Sequence, residues 1–195
     1  MRWIGSASSW KLALAGLTLA CTLGIAVPAA AQTGGTPTAG STEPTPTPAP
    51  TGPPGRATLL PDGTAVAPAN APPAVQAAIY AGNEIRTRPY KWGGGHRSFY
   101  DSGYDCSGAV SYLLHAAGFL TSPMTSGGLA TSWGILGKGW WITVFANPSH
   151  TYMKVAGLRF DTSSNGEKLN QGSGPRWRAT KRKPRGYSIK HFPAY

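Results

Sequence analysis

Beyond residue 73 the apolar positions change period, and each period places an element. From Ala74 to Ile85, the side chains of Val75, Ala78, Ile79 and Ile85 recur at helical spacing, which predicts a first helix ending near Arg88-Pro89. After Cys106, Val110, Leu113, Leu114 and Ala117 repeat the pattern, and Gly118 supplies a C-terminal stop. The period then switches to two. Trp140–Phe145, His150–Val155 and Leu158–Thr162 read as strands, Asn147-Pro148 and Gly157 as the turns between them, and Tyr187–Phe192 as a closing strand. In the middle strand, His150, Tyr152 and Lys154 share one face and Thr151, Met153 and Val155 the other. Thr121–Gly139 is rich in Gly and Ser and reads as a connection, with Trp133 and Ile135 as apolar pegs.

The first third of the chain carries neither period. Arg2 and Lys11 flank an apolar run from Leu12 to Val27, and Ala29-Ala30-Ala31 precede Gln32, the pattern of a secretory signal peptide spanning residues 1–31. Gly16, Thr18, Gly24 and Pro28 interrupt a run already short for a membrane span. Lipid attachment at Cys21 is the poorer match, because the apolar stretch following it would make an odd tether. Residues 32–73 collapse to Pro, Thr, Gly, Ala and Ser and are expected to form a disordered linker. The folded body is then residues 74–195.

The chain has 195 residues, with 18 Lys and Arg against 7 Asp and Glu. Without Arg2 and Lys11, sixteen basic residues face seven acidic ones, a surplus of nine gathered largely in Arg176–Lys190. An exported basic protein meets anionic wall polymers and lipid head groups before nucleic acid, so no nucleic-acid partner is expected. Removing the leader also leaves Cys106 as the only thiol, which excludes an intramolecular disulfide.

Cys106 stands where a helix begins, and the unpaired N–H groups of a first turn favour a thiolate. A cysteine nucleophile needs a base, and the base needs an orienting group. His150 at a strand start and Asp161 on the next strand can supply both. His96, in the loop Gly93-Gly94-Gly95-His96, is the second choice of base; His115 lies too far down the helix from Cys106, and His191 is near the tail. The histidines show no paired short spacing, so neither a metal nor another cofactor is expected.

Tyr90-Lys91-Trp92-Gly93-Gly94, then Tyr104-Asp105-Cys106-Ser107-Gly108, then His150 opening a hairpin, resembles the NlpC-type cysteine peptidases, the papain-like endopeptidases of bacterial peptidoglycan. The resemblance covers about Val75 to Phe160. It implies an α+β domain with the cysteine helix packed on a small antiparallel sheet, in a secreted, monomeric thiol peptidase of the cell wall. Peptidoglycan stem peptides would be the substrate, commonly cut between D-γ-glutamate and a diamino acid. It implies Cys106 as nucleophile, His150 as base, Tyr90 beside the developing oxyanion, and Asp105 and Ser107 at the peptide's free amino end. Trp92 is expected to line the substrate site. The family usually has His, Asn or Gln where this chain has Asp161. Two rivals share the residues: a non-catalytic wall-binding module, and an amidase or acyltransferase using the same Cys-His pair.

Overall fold

The computed structural model describes residues 53–163 and 174–195. The predicted leader, and the linker up to residue 52, lie outside the described residues. In chain order the elements are β1 (Thr58–Leu59), β2 (Ala65–Val66), α1 (Pro73–Ile85), α2 (Cys106–Ala116), α3 (Ser126–Thr131), β3 (Ile135–Leu136), β4 (Ile142–Ala146), β5 (Thr151–Val155), β6 (Leu158–Asp161), β7 (Arg176–Arg178) and β8 (Ser188–His191). The six later strands form one antiparallel sheet in the order β3-β8-β4-β5-β6-β7. The architecture is α+β.

Both long helices lie against one face of this sheet. Val75, Ala78, Ile79 and Ile85 of α1 and Val110, Leu113 and Leu114 of α2 are buried with Val144, Met153, Val155 and Phe160 from the strands. α2 is closed at both ends by its own sequence. Asp105 is the N-cap and accepts from the Gly108 amide at 2.8 Å. At the other end Gly118, at φ 77°, donates to His115 O and Phe119 donates to Leu114 O, a complete Schellman pair. α1 stops at Ile85, three residues before the expected point, and Arg86 caps it.

Two expectations need correction. Composition extends the linker to Pro73, yet β1 and β2 pair as a hairpin upstream of it. Asn83 of α1 holds that hairpin: its Oδ1 accepts from the Ala65 amide at 2.9 Å and its Nδ2 donates to Ala65 O at 2.8 Å. Ala57 also donates to Ala156 O at 2.8 Å, and Ala65 and Ala71 are buried. Backbone pairing and small buried side chains order this stretch without large apolar residues. In Thr121–Gly139 the Thr125 side chain caps α3, accepting from Gly128 N at 3.2 Å, so the segment is partly helical. Trp133 is buried and donates to Phe119 O at 3.2 Å, whereas Ile135 is 50% exposed because β3 is the sheet's edge.

The glycine loop 93–95 lies on the first turn of α2. A Cβ on Gly108 would fall on the Gly94 carbonyl oxygen and within 3.0 Å of Gly95 Cα. Gly108→Ala therefore forces helix and loop apart. We expect a loss of about 2–3 kcal/mol, visible as a fall in Tm of roughly 10 °C or more.

Candidate active site

Three elements converge on one point. Cys106 opens α2 and is half-buried. His150 immediately precedes β5, where its amide donates to Asn147 Oδ1 at 2.8 Å. Asp161 ends β6 and is buried. The loop between β5 and β6 is two residues long, Ala156 at φ 45° and Gly157 at φ 87°, the positive angles of a tight hairpin turn. That turn sets the register Met153 opposite Phe160, which brings the start of β5 level with the end of β6.

His150 Nε2 and Asp161 Oδ1 are 3.0 Å apart. Cys106 also acts on the imidazole through its charge, and with Nε2 on Asp161 the ring nitrogen left for the sulfur is Nδ1. Burial pulls the imidazole pKa down, but the hydrogen bonds to Asp161 and Cys106 and the charges on both outweigh it and raise it to about 9. Burial likewise opposes ionisation of Asp161. The bond from His150, the Ser163 amide at 3.0 Å and the charge of Arg182 overcome it and hold the carboxyl below its ordinary value. Arg182 Nη1 donates to Asp161 Oδ2 at 3.1 Å, and Arg159 Nε lies 3.7 Å from the same oxygen.

Tyr90 forms an isolated bridge with Tyr104 and borders the nucleophile. Burial first, then the charges of Cys106 and Asp105, raise its phenol above the ordinary value, so Tyr90 remains an O–H donor at neutral pH. Asp105 and Ser107, either side of Cys106 in sequence, are buried and joined at 3.1 Å. His96 Nε2 reaches Asp105 Oδ2 at 2.9 Å and Ser107 Oγ at 3.0 Å, and the Gly93 amide adds a bond to Asp105 at 3.1 Å. His96 is thus engaged by Asp105 and Ser107, whereas the imidazole paired with Asp161 and under the charge of Cys106 is that of His150. Trp92 is 88% exposed on the loop beyond Tyr90. His115 stacks on Phe99 at 3.9 Å, and His191 turns to Gly137 O.

Arg182 is the site residue that sequence reasoning missed, because a cation within Lys181–Arg185 reads as one more charge of a solvated tail. A separate cavity of about 510 Å³, lined by Arg86, Arg88, Arg176, Trp177 and Arg178, includes none of Cys106, His150 and Asp161.

No protein-family model and no curated protein matches the sequence. Among solved structures, the chain is similar to an NlpC/P60 family protein from Bacillus cereus at 18% identity and TM-score 0.45, covering 62% of this chain and 40% of that one. It is similar to the peptidoglycan hydrolase RipB from Mycobacterium tuberculosis at 22% identity and TM-score 0.45, covering 60% and 64%. A hypothetical invasion protein of the same organism gives 19% identity and TM-score 0.41, covering 72% and 71%. The chain thus spans less than two thirds of the length of the first two. In the order of its motifs around Tyr90, Cys106 and His150, the chain resembles the NlpC-type cysteine peptidases.

Proposed function

We propose that the protein is an exported peptidoglycan hydrolase acting as a cysteine peptidase on stem-peptide amides, with the bond between D-γ-glutamate and a diamino acid as the first candidate. The observation that carries the reading is the 3.0 Å pairing of His150 with the buried Asp161, in a domain whose single described thiol, Cys106, opens α2. The Cys106 thiolate attacks the carbonyl carbon, and Tyr90 O–H donates to the developing oxyanion. The His150 imidazolium then gives its proton to the leaving amine, and the acyl-enzyme forms. Water, deprotonated by the same imidazole, releases the acid and regenerates the thiol.

Asp105 and Ser107 are assigned to the amino end of the stem peptide. Because His96 already holds both acceptors, an incoming ammonium has to share or displace that imidazole. The exposed cations Lys181, Lys183 and Arg185 of the basic segment are assigned to anionic wall polymers, since Arg178 and Lys190 are buried, and residues 1–31 are assigned to export toward the wall. Trp92 offers an exposed aromatic face beside Tyr90. Trp92→Ala is expected to raise KM about three- to tenfold with kcat within about twofold, and to leave Tm unchanged because its burial is slight.

Mass spectrometry of muropeptides released from purified peptidoglycan tests the reading. New fragments ending in γ-D-glutamate, formed by the wild type and absent with Cys106→Ala, support it. No Cys106-dependent product from walls of several chemotypes refutes it.

A further inference from the structure

We propose that Arg182 is a positioning residue of the catalytic set: its guanidinium holds Asp161 ionised and facing His150, and places a fixed positive charge beside the imidazole. The inference rests on the assignment of Cys106, His150 and Asp161 to catalysis. Arg182 is not built like a tail charge, since its side chain is only 18% exposed. Nη1 donates to Asp161 Oδ2 at 3.1 Å and to Ser163 Oγ at 2.7 Å, while Nη2 donates to the Tyr187 hydroxyl at 2.8 Å. The guanidinium carbon lies 5.3 Å from the ring centre of Tyr152 and 5.5 Å from that of Tyr187. Two aromatic rings and three oxygens therefore fix its position.

Nη1 is also 3.4 Å from His150 Nε2. With its proton directed at Asp161, Nε2 cannot accept from Nη1, so two donors approach one another across a shared carboxylate. The attraction of Asp161 for the imidazolium is thereby opposed by a neighbouring cation. A general acid that holds its proton too tightly releases it slowly to the leaving amine, and Arg182 offsets that tendency. The charged and titratable groups around the imidazole are Cys106 from α2, Tyr152 from β5, Asp161 and Arg159 from β6, and Arg182 and Tyr187 from the segment before β8; Arg178 of β7 also acts on Asp161.

The test is the rate of Cys106 alkylation by iodoacetamide against pH in the full-length protein, beside kcat and KM on muropeptides. Removing a cation at this distance is expected to move both limbs of the alkylation profile of Arg182→Ala to higher pH by about 0.5–1 unit. At neutral pH its kcat is expected to fall about tenfold with KM within about twofold. Arg182→Lys, which keeps the charge, is expected to return most of both, and Lys138→Ala, which removes one charge elsewhere, to move neither. An Arg182→Ala protein with wild-type Tm whose limbs and kcat match those of Lys138→Ala overturns the proposal. Arg182→Gln, which keeps hydrogen bonding but not charge, gives the same comparison should the alanine variant not fold. Alkylation needs no substrate, so a wild type that cleaves no wall while its limbs still depend on Arg182 refutes hydrolysis and leaves the positioning role standing.

Discussion

Cys106→Ala is expected to lose stem-peptide cleavage by about 10⁴-fold or more while keeping its fold. No other thiol stands in the described residues, and His150 left alone can only direct water. Truncating one half-buried sulfur at a helix start should cost less than about 1 kcal/mol, so Tm serves as the control. The same variant reports on the imidazole. Of the influences that raise His150 to about 9, the Cys106 hydrogen bond and charge vanish and those of Asp161 remain. Its NMR titration midpoint should therefore fall. In the wild type the raised pKa contributes stability that is complete below about pH 6.5 and is lost as pH rises through about 9. In Cys106→Ala that window narrows from its upper end. A variant with wild-type turnover would remove the nucleophile from the mechanism.

The second large effect is expected at Asp161. Asp161→Asn has one acceptor oxygen for two sets of donors: at the Oδ1 position it keeps the bonds from His150 and the Ser163 amide but turns NH₂ to Arg182, and at the Oδ2 position it keeps Arg182 but turns NH₂ to His150 Nε2. In the first arrangement the imidazolium loses its counter-charge; in the second Nε2 must accept, the remaining proton moves to Nδ1, and the nitrogen facing Cys106 can no longer take the thiol proton. A loss of about 10²–10³-fold in kcat follows, a smaller fall than the handover of the same tautomer causes in serine triads, because a thiol ionises more readily than a hydroxyl. Asp161→Ala adds a structural penalty. Arg159 and Arg182 lose a carboxylate in a buried site, at a cost of about 3–5 kcal/mol. The depressed pKa of Asp161 stabilises the wild type above the ordinary carboxyl value and ceases to do so as pH falls below it. Melting curves between pH 3 and 10 should show a flatter dependence for Asp161→Asn at both ends; an unchanged curve would mean that Asp161 is not the imidazole's partner in solution.

The parts of this arrangement differ in how openly the chain declares them. α2 was legible because its apolar period and its Gly118 stop agree with one another, and the Asp105 cap that closes its start is a finding of the structure. The pairing of His150 with Asp161 was legible for a related reason: a two-residue turn leaves few registers for strands 150–155 and 158–162. Arg182 was hidden because Ser163, Asp161 and His150 lie 19 to 32 residues from it and both adjacent residues are lysines. His96 stands as a rival base in the sequence, since nothing in the glycine run foretells that Asp105 and Ser107 hold its imidazole. The hairpin β1–β2 escaped notice because composition argued for a spacer, while the groups that order it are a backbone and one distant amide. Local patterns reveal elements; they do not reveal which polar atoms from remote segments will meet.

That amide constrains the order in which the domain can assemble. Besides holding Ala65 at both backbone atoms, Asn83 Oδ1 accepts from Trp177 Nε1 at 3.0 Å, across 94 residues. Trp177 in turn lies against Gly82, where a single added Cβ would strike its ring. Helix α1 and the hairpin ahead of it therefore cannot reach their final packing while β7 is still missing from the growing polypeptide. Closing so long a loop is entropically slow and gives no early reward. The chain must be made through β7 before α1 and the hairpin β1–β2 can settle, and β7 acts as the latch for both.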